Sequence, residues 1–289
     1  MTINPTNLSP QQVYAYLSTA VAPRPICFAS TVDAAGNVNL SPYSFFNVVS
    51  GDPPMLAFAP QLSGRDGSSK DTLKNVLAVP EVVINIVSYD MAEQMSLTST
   101  SYPPGVNEFD KAALTQLQSE VVKPPRVGEA KVAFECIVDR VIALGDGPMA
   151  GSLVLARVVR IHLHDEIAKP DGTIDPHKLD LIGRMGGSDY IRAIPAALFE
   201  IPKPIRTLGI GVDALPEHVR NSSVLTGNDL GRLGNAERLP SAEEIAHAHA
   251  VPATKIAQQS GLPALHQLAK QQLASGNTAD ALAILLLPQ

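Results

Sequence analysis

Short runs of apolar residues, interrupted by turn-forming residues, dominate the first half of the chain. Apolar and β-branched residues predict three strands between residues 24 and 60, separated by glycine and proline and arranged as a β-meander. A buried strand is predicted at residues 82–87, and short helices are predicted at residues 70–78 and 91–96. Strands and helices do not alternate regularly. The pattern therefore favours a small, mostly antiparallel barrel over a doubly wound parallel sheet.

Two long apolar segments form the strongest hairpin pattern in the sequence. They cover residues 133–144 and 152–167, and the residues between them are rich in glycine. Apolar and polar residues alternate along the second segment, which predicts one packed face and one face that meets water or a ligand. The apolar set is Val159, Ile161 and Leu163, and the polar set is Arg160, His162 and His164.

The pattern changes after about residue 205. Residues 208–240 are rich in glycine, asparagine and leucine and predict a long loop, in which residues 225–240 would act as a lid or strap and not as core. Helical sequence follows. We therefore divide the chain into a domain of residues 1–204 and a C-terminal loop and helical extension of residues 205–289.

Helices are predicted in the rest of the extension. Ser241 and Glu244 have the spacing of a capping box at the start of the first helix. Two leucine-rich stretches further on are separated by residues 275–277, which predicts a helical hairpin. This hairpin has more apolar surface than two isolated helices could bury. We therefore expect the extension to fold over the barrel or to reach a second subunit.

The overall charge argues against several classes of partner. The chain of 289 residues contains 22 Lys and Arg against 28 Asp and Glu, which gives a net charge of -6. This balance argues against nucleic acid and against an anionic membrane surface as partners. The N-terminus has no basic start followed by an apolar run, and no stretch approaches the roughly 18 apolar residues of a membrane span. A cytoplasmic protein without a membrane partner is expected.

Few residues are candidates for a metal site or for a reactive thiol. His162 and His164 share a strand face, but no carboxylate or third histidine is evidently paired with them, so no metal site is predicted. Cys27 and Cys136 lie in separate apolar segments and are expected to be reduced and packed. The motifs of serine hydrolases, P-loop NTPases, zinc proteases and Rossmann dinucleotide sites do not occur.

The segment from Ser63 to Asn75 has the composition of a phosphate site. Its glycines allow sharp turns, and cations and hydroxyls are concentrated just before a predicted helix, where amide groups favour an anion. These side chains are Arg65, Ser68, Ser69, Lys70 and Thr72. The alternative interpretation is a solvated loop that ends in a capped helix.

A second stretch, residues 39–54, combines aromatic rings with amide and hydroxyl groups. The rings are Tyr43, Phe45 and Phe46, and the polar residues are Asn39, Ser44 and Asn47. Such a combination suits a flat heteroaromatic ligand, although two phenylalanines on one strand are more often core.

These stretches together resemble one known family. Residues 23–85 contain, in order, RPI, ST, G-x-x-N-x-S-P-Y-S-x-F-N, PP, KDT-x-x-N and N-I. They resemble the flavin reductase-like family of FMN-binding split-barrel proteins, and residues 183–192 resemble a later element of that family, matched by Arg184, Gly186, Gly187 and Tyr190. The resemblance implies a mainly β fold: an FMN-binding split β-barrel, mostly antiparallel and of Greek-key type, with flanking helices and the C-terminal helical extension.

In this family the FMN lies across a homodimer interface, so the resemblance implies FMN as cofactor and an obligate homodimer. The matching positions imply three groups of cofactor-binding residues: Ser30 and Thr31 facing the flavin, Ser44, Phe45 and Asn47 along the ring or ribityl chain, and Arg65, Ser69, Lys70 and Thr72 at the phosphate. No catalytic residue is implied, because the flavin N5 itself accepts hydride while the protein supplies orientation and electrostatics.

The implied function is that of an FMN-dependent oxidoreductase, an NAD(P)H-linked flavin reductase-like enzyme. It would take hydride from NADH or NADPH and pass electrons to flavin, a metal chelate or a small organic acceptor. An alternative is an FMN-binding electron carrier without an efficient nicotinamide site. A third hypothesis is an interaction module based on the helical extension, with a vestigial barrel. The cations and hydroxyls before residue 71 favour the oxidoreductase and the electron carrier, since both would bind FMN.

Overall fold

The computed structural model describes residues 1–201 and 207–288. The chain forms two compact units, Met1–Phe199 and Glu200–Gln289, and each is described by itself. The domain boundary that the sequence predicts, between residues 204 and 205, lies outside the described residues.

Strands are the main regular elements of the first unit. In chain order they are β1 Arg24–Pro25, β2 Cys27–Val32, β3 Val38–Tyr43, β4 Phe46–Gly51, β5 Pro54–Phe58, β6 Glu81–Ile86, β7 Gln116–Leu117, β8 Arg126–Val127, β9 Val132–Ala143, β10 Ser152–Leu163, β11 Ile182–Arg184 and β12 Tyr190–Arg192. The helices of this unit are α1 Pro10–Ala20, α2 Asp71–Ala78, α3 Ala92–Thr98, α4 Glu108–Ala112 and α5 Pro176–Leu179. The helices predicted at residues 70–78 and 91–96 and the strand predicted at residues 82–87 are confirmed.

The main sheet has seven strands in the order β3-β2-β6-β9-β10-β5-β4, and every neighbouring pair is antiparallel. The mainly antiparallel β fold with flanking helices is thereby confirmed. The predicted meander is wrong. Residues 38–49 form two strands, β3 and β4, which lie at opposite ends of the sheet because the chain bends at Ser44 and Phe45. The rings of Tyr43 and Phe58 pack 5.3 Å apart, so the end of β3 meets the end of β5.

The predicted hairpin of β9 and β10 is confirmed, but its predicted faces are wrong. Ile161 is 55% exposed and Leu163 is 39% exposed, although the alternation places them on the packed face. The register shifts between Val158 and Arg160, which makes Val159 an extra residue in β10. Such a bulge breaks the period of two, so an alternation read across it assigns side chains to the wrong faces.

Both faces of strand β2, which lies between β3 and β6, are buried. Cys27 and Ala29 pack with residues of α2, whereas Phe28 packs on the opposite face with Met91 and Phe109. Both cysteines are free and buried, as the sequence predicts. Burial raises the pKa of the Cys136 thiol to about 12, so this thiol remains protonated at neutral pH.

Helices make up the second unit: α6 Glu217–Arg220, α7 Gly227–Gly234, α8 Ala242–Ala250, α9 Pro252–Gln259, α10 Leu262–Ala274 and α11 Thr278–Leu285. The capping box of Ser241 and Glu244 and the hairpin of α10 and α11 are confirmed. No helix in the described part of the chain is long and apolar enough to cross a membrane.

The lid or strap predicted at residues 225–240 is instead part of a core. Leu225 and Leu233 are buried among α10 and α11, and α7 begins with its own capping box of Thr226 and Asp229. The apolar surface of the helical hairpin is therefore covered within its own unit. The expectation that the extension covers the barrel or reaches a second subunit rested on uncovered apolar surface of this hairpin, and that reason no longer holds.

Candidate functional site

The N-terminus of α2 is open to a ligand. Lys70 occupies the N-cap position, and no side chain forms a capping hydrogen bond with the first turn. The amide of Leu73 donates to the carbonyl of Lys70, but the amides of Asp71 and Thr72 have no backbone acceptor in the described residues, and the helix dipole places partial positive charge there. An anion at this position would meet both the amides and the dipole.

Two exposed cations lie in the segment that leads into this helix. Arg65 and Lys70 are exposed, and within residues 1–201 and 207–288 neither side chain forms an ion pair. Ser69 is partly exposed, and its hydroxyl lies 3.4 Å from the carbonyl of Lys70. Cations that have no structural partner remain available for charge-assisted hydrogen bonds to a phosphate.

The loop before α2 is held by its own hydrogen bonds. The amide of Ser63 donates to the carbonyl of Ser68, and the amide of Gly67 donates to the carbonyl of Ser63, each at 2.9 Å. Gly67 has φ +69, a left-handed conformation that favours glycine. Hydrogen bonds from Ser63 and Ser68 lower the pKa of Asp66 to about 2, so this carboxylate stays ionised and closes the turn.

The hydroxyls of Thr31 and Thr72 are buried inside the protein. Thr72 donates to Asn39 Oδ1 at 2.8 Å, and Asn75 Nδ2 donates to Thr31 Oγ1 at 3.1 Å. These bonds attach α2 to strands β2 and β3. Thr31 and Thr72, implied as cofactor residues, therefore lie together, but their side chains position the helix and do not reach the surface.

Glu108 completes this network, and the sequence analysis did not identify it. Its carboxylate accepts from Asn39 Nδ2 at 3.1 Å and from the amide of Leu40 at 2.9 Å, on the outer edge of β3. Burial raises the pKa of Glu108. The available signal was Asn107, whose side chain caps α4 and marks Glu108 as the first residue of that helix.

Ser30 and Thr31 cannot both face a ligand with their side chains. Consecutive residues of a strand point to opposite faces of the sheet, and Ser30 lies on the side away from α2. Its hydroxyl is fully buried and has no hydrogen-bond partner in the described structure; the same holds for the phenol of Tyr43. Burial raises the pKa of Tyr43, so the phenol stays protonated.

The bend between β3 and β4 presents the remaining implied residues at the surface. Ser44 Oγ accepts from Arg24 Nε at 3.4 Å, and the Arg24 guanidinium lies 5.6 Å from the centre of the Phe45 ring. Asn47 is exposed, and its Oδ1 accepts from the amide of Val48 at 2.9 Å. A flat ring could approach this bend, where polar groups and an aromatic side chain are adjacent.

Arg24 is the structural centre of the bend, and it belongs to the RPI element of the sequence. It is buried and donates to the carbonyls of Ser18, Val21 and Met185. It thereby joins the end of α1 to the hairpin of β11 and β12. Arg24 acts as a positioning residue for Ser44 rather than as a free cation.

The structure separates the implied residues into two surface groups and a buried group. The bend contributes Ser44, Phe45 and Asn47, and the α2 segment contributes Arg65, Ser69 and Lys70. The chain also joins the two groups, because the amide of Ala59, directly after β5 and four residues before Ser63, donates to the carbonyl of Phe45 at 2.8 Å. Cations and helix amides in one group and an aromatic bend in the other fit a phosphorylated flavin.

His162 has a carboxylate partner that the sequence did not reveal. Its Nε2 donates to Glu135 Oε1 at 2.6 Å, and Glu135 also accepts from the amides of Glu120 and Val121 at 2.7 Å. Burial by itself would raise the pKa of Glu135, but these hydrogen bonds outweigh it and lower the pKa. In the described residues no cluster of three or more potential metal ligands occurs.

Comparisons with known proteins give the same family as the residues. The family model for the flavin reductase like domain matches residues 19–177. A protein of Aquifex aeolicus is 40% identical over 182 residues, which cover 63% of this chain and 90% of that protein.

Two solved structures are similar to the chain. Nitrilotriacetate monooxygenase component B from Bacillus cereus is 33% identical with a TM-score of 0.65, and the match covers 70% of this chain and 98% of that one. The 2-nitrobenzoate 2-nitroreductase of Pseudomonas fluorescens is 26% identical with a TM-score of 0.62, covering 72% of this chain and 100% of that one. The chain belongs to the flavin reductase like domain family.

Proposed function

We propose that this chain is an FMN-dependent oxidoreductase that takes hydride from NADH or NADPH and passes electrons to flavin or to a small acceptor. The observation that carries the proposal is the uncapped N-terminus of α2 beside two cations without ion pairs in the described structure. These groups would bind the phosphate of FMN, and they would add no affinity for riboflavin, which lacks a phosphate.

The residues that would hold FMN divide by chemistry. Arg65, Ser69 and Lys70, together with the first amides of α2, would bind the phosphate, and the bend at residues 44–47 would contact the ring or ribityl chain. Bound flavin would supply the hydride and electron transfer, while the protein binds and orients it. Thr31 and Thr72 would act indirectly, because their hydroxyls fix the position of α2.

A second copy of the chain would complete the site. Strand β4 follows the bend and ends the sheet, and its Val48 and Val49 are 65% and 54% exposed. An edge strand with exposed apolar side chains is stabilised when another chain covers it. A homodimer is therefore proposed, with the flavin close to the interface.

The relatives support a reductase rather than a structural protein. One similar structure is a monooxygenase component and another is a nitroreductase, as their names state. The runner-up, an FMN-binding electron carrier, would share the site and differ only in its electron donor. Oxidation of NADH and NADPH by the purified protein, compared with photoreduction of its flavin, separates the two. Photoreduction without nicotinamide oxidation would favour the carrier.

Lys70→Ala tests the phosphate site. Hydrogen bonds to charged groups contribute roughly 1.5–3 kcal/mol each, so we expect FMN affinity to fall about tenfold or more and riboflavin affinity to change little. Titration of the flavin absorption and fluorescence measures both affinities.

The matched control is Lys74→Ala. Lys74 lies one turn further along α2 and pairs with Asp71 at 2.8 Å. This variant should leave both affinities nearly unchanged. Equal losses for FMN and riboflavin in Lys70→Ala would instead mean that Lys70 supports the fold, and a protein that binds no flavin would disprove the proposed function.

A further inference from the structure

An apolar groove lies beside the bend in the first unit. It has a volume of about 430 Å³, and its walls come from α1, from the bend and from the turn between β9 and β10. Its principal side chains are Leu8, Val13, Tyr14, Leu17, Phe45 and Met149. None of the described side chains that line it carries a charge. Binding sites for small molecules commonly have this size and this mostly apolar lining.

The groove is continuous with both parts of the proposed flavin site. Phe45 belongs to the bend, and its ring lies 6.0 Å from that of Tyr14. Met149 lies against Gly64 of the loop before α2, where an added Cβ would be 3.3 Å from Met149 Cγ. A ligand in the groove would therefore lie next to the bend that is proposed to contact the flavin ring.

The backbone at Met149 is unusual. Met149 has φ +67, a left-handed conformation that residues other than glycine rarely adopt. Its amide donates to the carbonyl of Leu62 at 3.2 Å, and its carbonyl accepts from Gln61 Nε2 at 3.3 Å. Such conformations persist where surrounding bonds hold them, and they are concentrated at ligand sites.

The chemistry of the lining selects the ligand. Because no cation lines the groove, it has no charged partner for the diphosphate of a nicotinamide dinucleotide or for the carboxylate of an organic acid. Without several hydrogen-bond donors, it does not match the polar edge of the flavin ring. A flat, uncharged ring compound would fill it and contact both Tyr14 and Phe45, whose rings are tilted by 55° to each other, so that it could stack on one ring and meet the other at an angle.

We infer that this groove binds an uncharged, flat, largely hydrocarbon ring compound of the quinone class, as the electron acceptor of the enzyme. In the overall reaction NAD(P)H, one proton from water and the quinone would give NAD(P)+ and the hydroquinone, so that two electrons and two protons reach the quinone. The role as acceptor rests on the proposed function, whereas binding itself does not. The occupant is a small molecule, and a second copy of the chain seated in the groove is the competing outcome.

The test is equilibrium binding of dimethylnaphthoquinone, in which methyl groups block both positions that would react with thiols. The control ligand is the analogue in which a sulfonate replaces one methyl group. The chain of 289 residues is used as purified and after removal of any flavin. We expect the neutral quinone to bind at least about tenfold more tightly than the sulfonate, since burying an unpaired charge in an apolar site is unfavourable. Equal binding would overturn the inference.

Leu17→Asp places a charge in the groove, and Tyr16→Asp is its matched control. Both residues lie on α1 and are similarly exposed, at 58% and 53%, but Tyr16 does not line the groove. Leu17→Asp should weaken binding of the neutral quinone about tenfold or more, and Tyr16→Asp should not. Unchanged binding in Leu17→Asp would refute the site.

Two further measurements distinguish the remaining outcomes. Sedimentation gives the mass of each variant, and a Leu17→Asp protein that alone becomes monomeric would identify the groove as an interface between copies. FMN affinity is measured in the same variants. Normal FMN binding with no quinone binding would reject this inference alone. Quinone binding without any FMN binding would reject the proposed function, and the acceptor role with it, while the groove would remain a binding site.

Discussion

At the scale of single residues, a buried carboxylate holds a loop against the sheet, a role that the sequence did not predict for any residue. Glu135 lies within β9 and has no exposed side-chain surface, and it accepts four hydrogen bonds. A buried charge persists only when its partners replace the lost water. Glu135 therefore fixes the segment around residue 121 against the sheet.

Replacing Glu135 by alanine should lower the free energy of unfolding by about 3 kcal/mol or more, because three amide groups lose a charged acceptor. Urea unfolding measures the change. Glu120→Ala is the control, since its carboxylate forms an exposed ion pair with Arg160, worth about 1 kcal/mol or less. A loss no larger in Glu135→Ala than in this control would show that water replaces the carboxylate.

The same residue predicts a pH dependence. The pKa of Glu135 is lowered from its ordinary value of 4.5, so its contribution to stability is present above that value. It is lost as the pH falls through the lowered pKa, because the unfolded chain binds a proton first. Acid unfolding of Glu135→Gln should therefore show a shallower decline of stability below about pH 4.5 than the original chain. Parallel declines would contradict the assignment.

At the scale of elements, buried side-chain hydrogen bonds attach α2 to the sheet beside the apolar packing of Leu73 and Val76. Thr72 and Asn75 attach one face of the helix to Asn39 and Thr31. The KDT-x-x-N element, residues 70–75, therefore both exposes a cation and attaches the helix to the sheet. Lys70 faces the solvent at the N-cap, and Thr72 anchors the helix that presents it.

Thr72→Val tests this anchoring, because valine keeps the shape and removes the hydroxyl. The variant leaves a buried acceptor on Asn39 with one partner fewer, and we expect a loss of about 1–3 kcal/mol in the free energy of unfolding. Thr100→Val, at an exposed threonine, is the control and should change stability by less than about 0.5 kcal/mol. If Thr72→Val is as stable as the original chain, the Thr72 hydroxyl does not hold α2 in place.

At the scale of the whole molecule, the described residues of each unit pack around apolar residues of that same unit, on both faces of the sheet in the first unit and among the helices in the second. In the second unit, His266 is buried and stacks on His218 with ring centres 5.7 Å apart. His266 Nδ1 lies 2.7 Å from Ser222 Oγ, and its Nε2 has no hydrogen-bond partner in the described residues. Burial, and then the nearby His218, lower the pKa of His266.

The second unit should therefore become less stable in mild acid. The neutral form of His266 is favoured in the folded unit, so its contribution is present above the ordinary pKa of 6.5. As the pH falls from there toward the lowered pKa, the unfolded chain takes up a proton that the folded unit resists. Thermal unfolding between pH 7 and pH 5 should show a transition that moves to lower temperature. His266→Phe should reduce this shift in unfolding temperature. His247→Ala, at an exposed histidine, is the control and should leave the shift unchanged. The same shift in the original chain and in both variants would exclude His266 as its source.

The sequence by itself determined the local elements and the family, because hydrophobic periodicity, turn residues and compact motifs act over a few residues. It identified the helix at α2, the hairpin of β9 and β10, the capping box at Ser241 and the exposed cations Arg65 and Lys70 ahead of α2. Only the tertiary structure decided which strands are neighbours and which polar groups face inward. The bend after Tyr43 sends β3 and β4 to opposite ends of the sheet, and the extra residue Val159 changes the face of β10.

Partners distant in the sequence were likewise decided by the tertiary structure. Glu108 bonds to Leu40 across 68 residues, and His162 bonds to Glu135 through the pairing of β9 and β10. Residues 225–240 have the glycine content of a loop, yet their leucines complete a core because α10 and α11 pack over them. Burial depends on what the rest of the chain places beside a residue, and no local pattern contains that information.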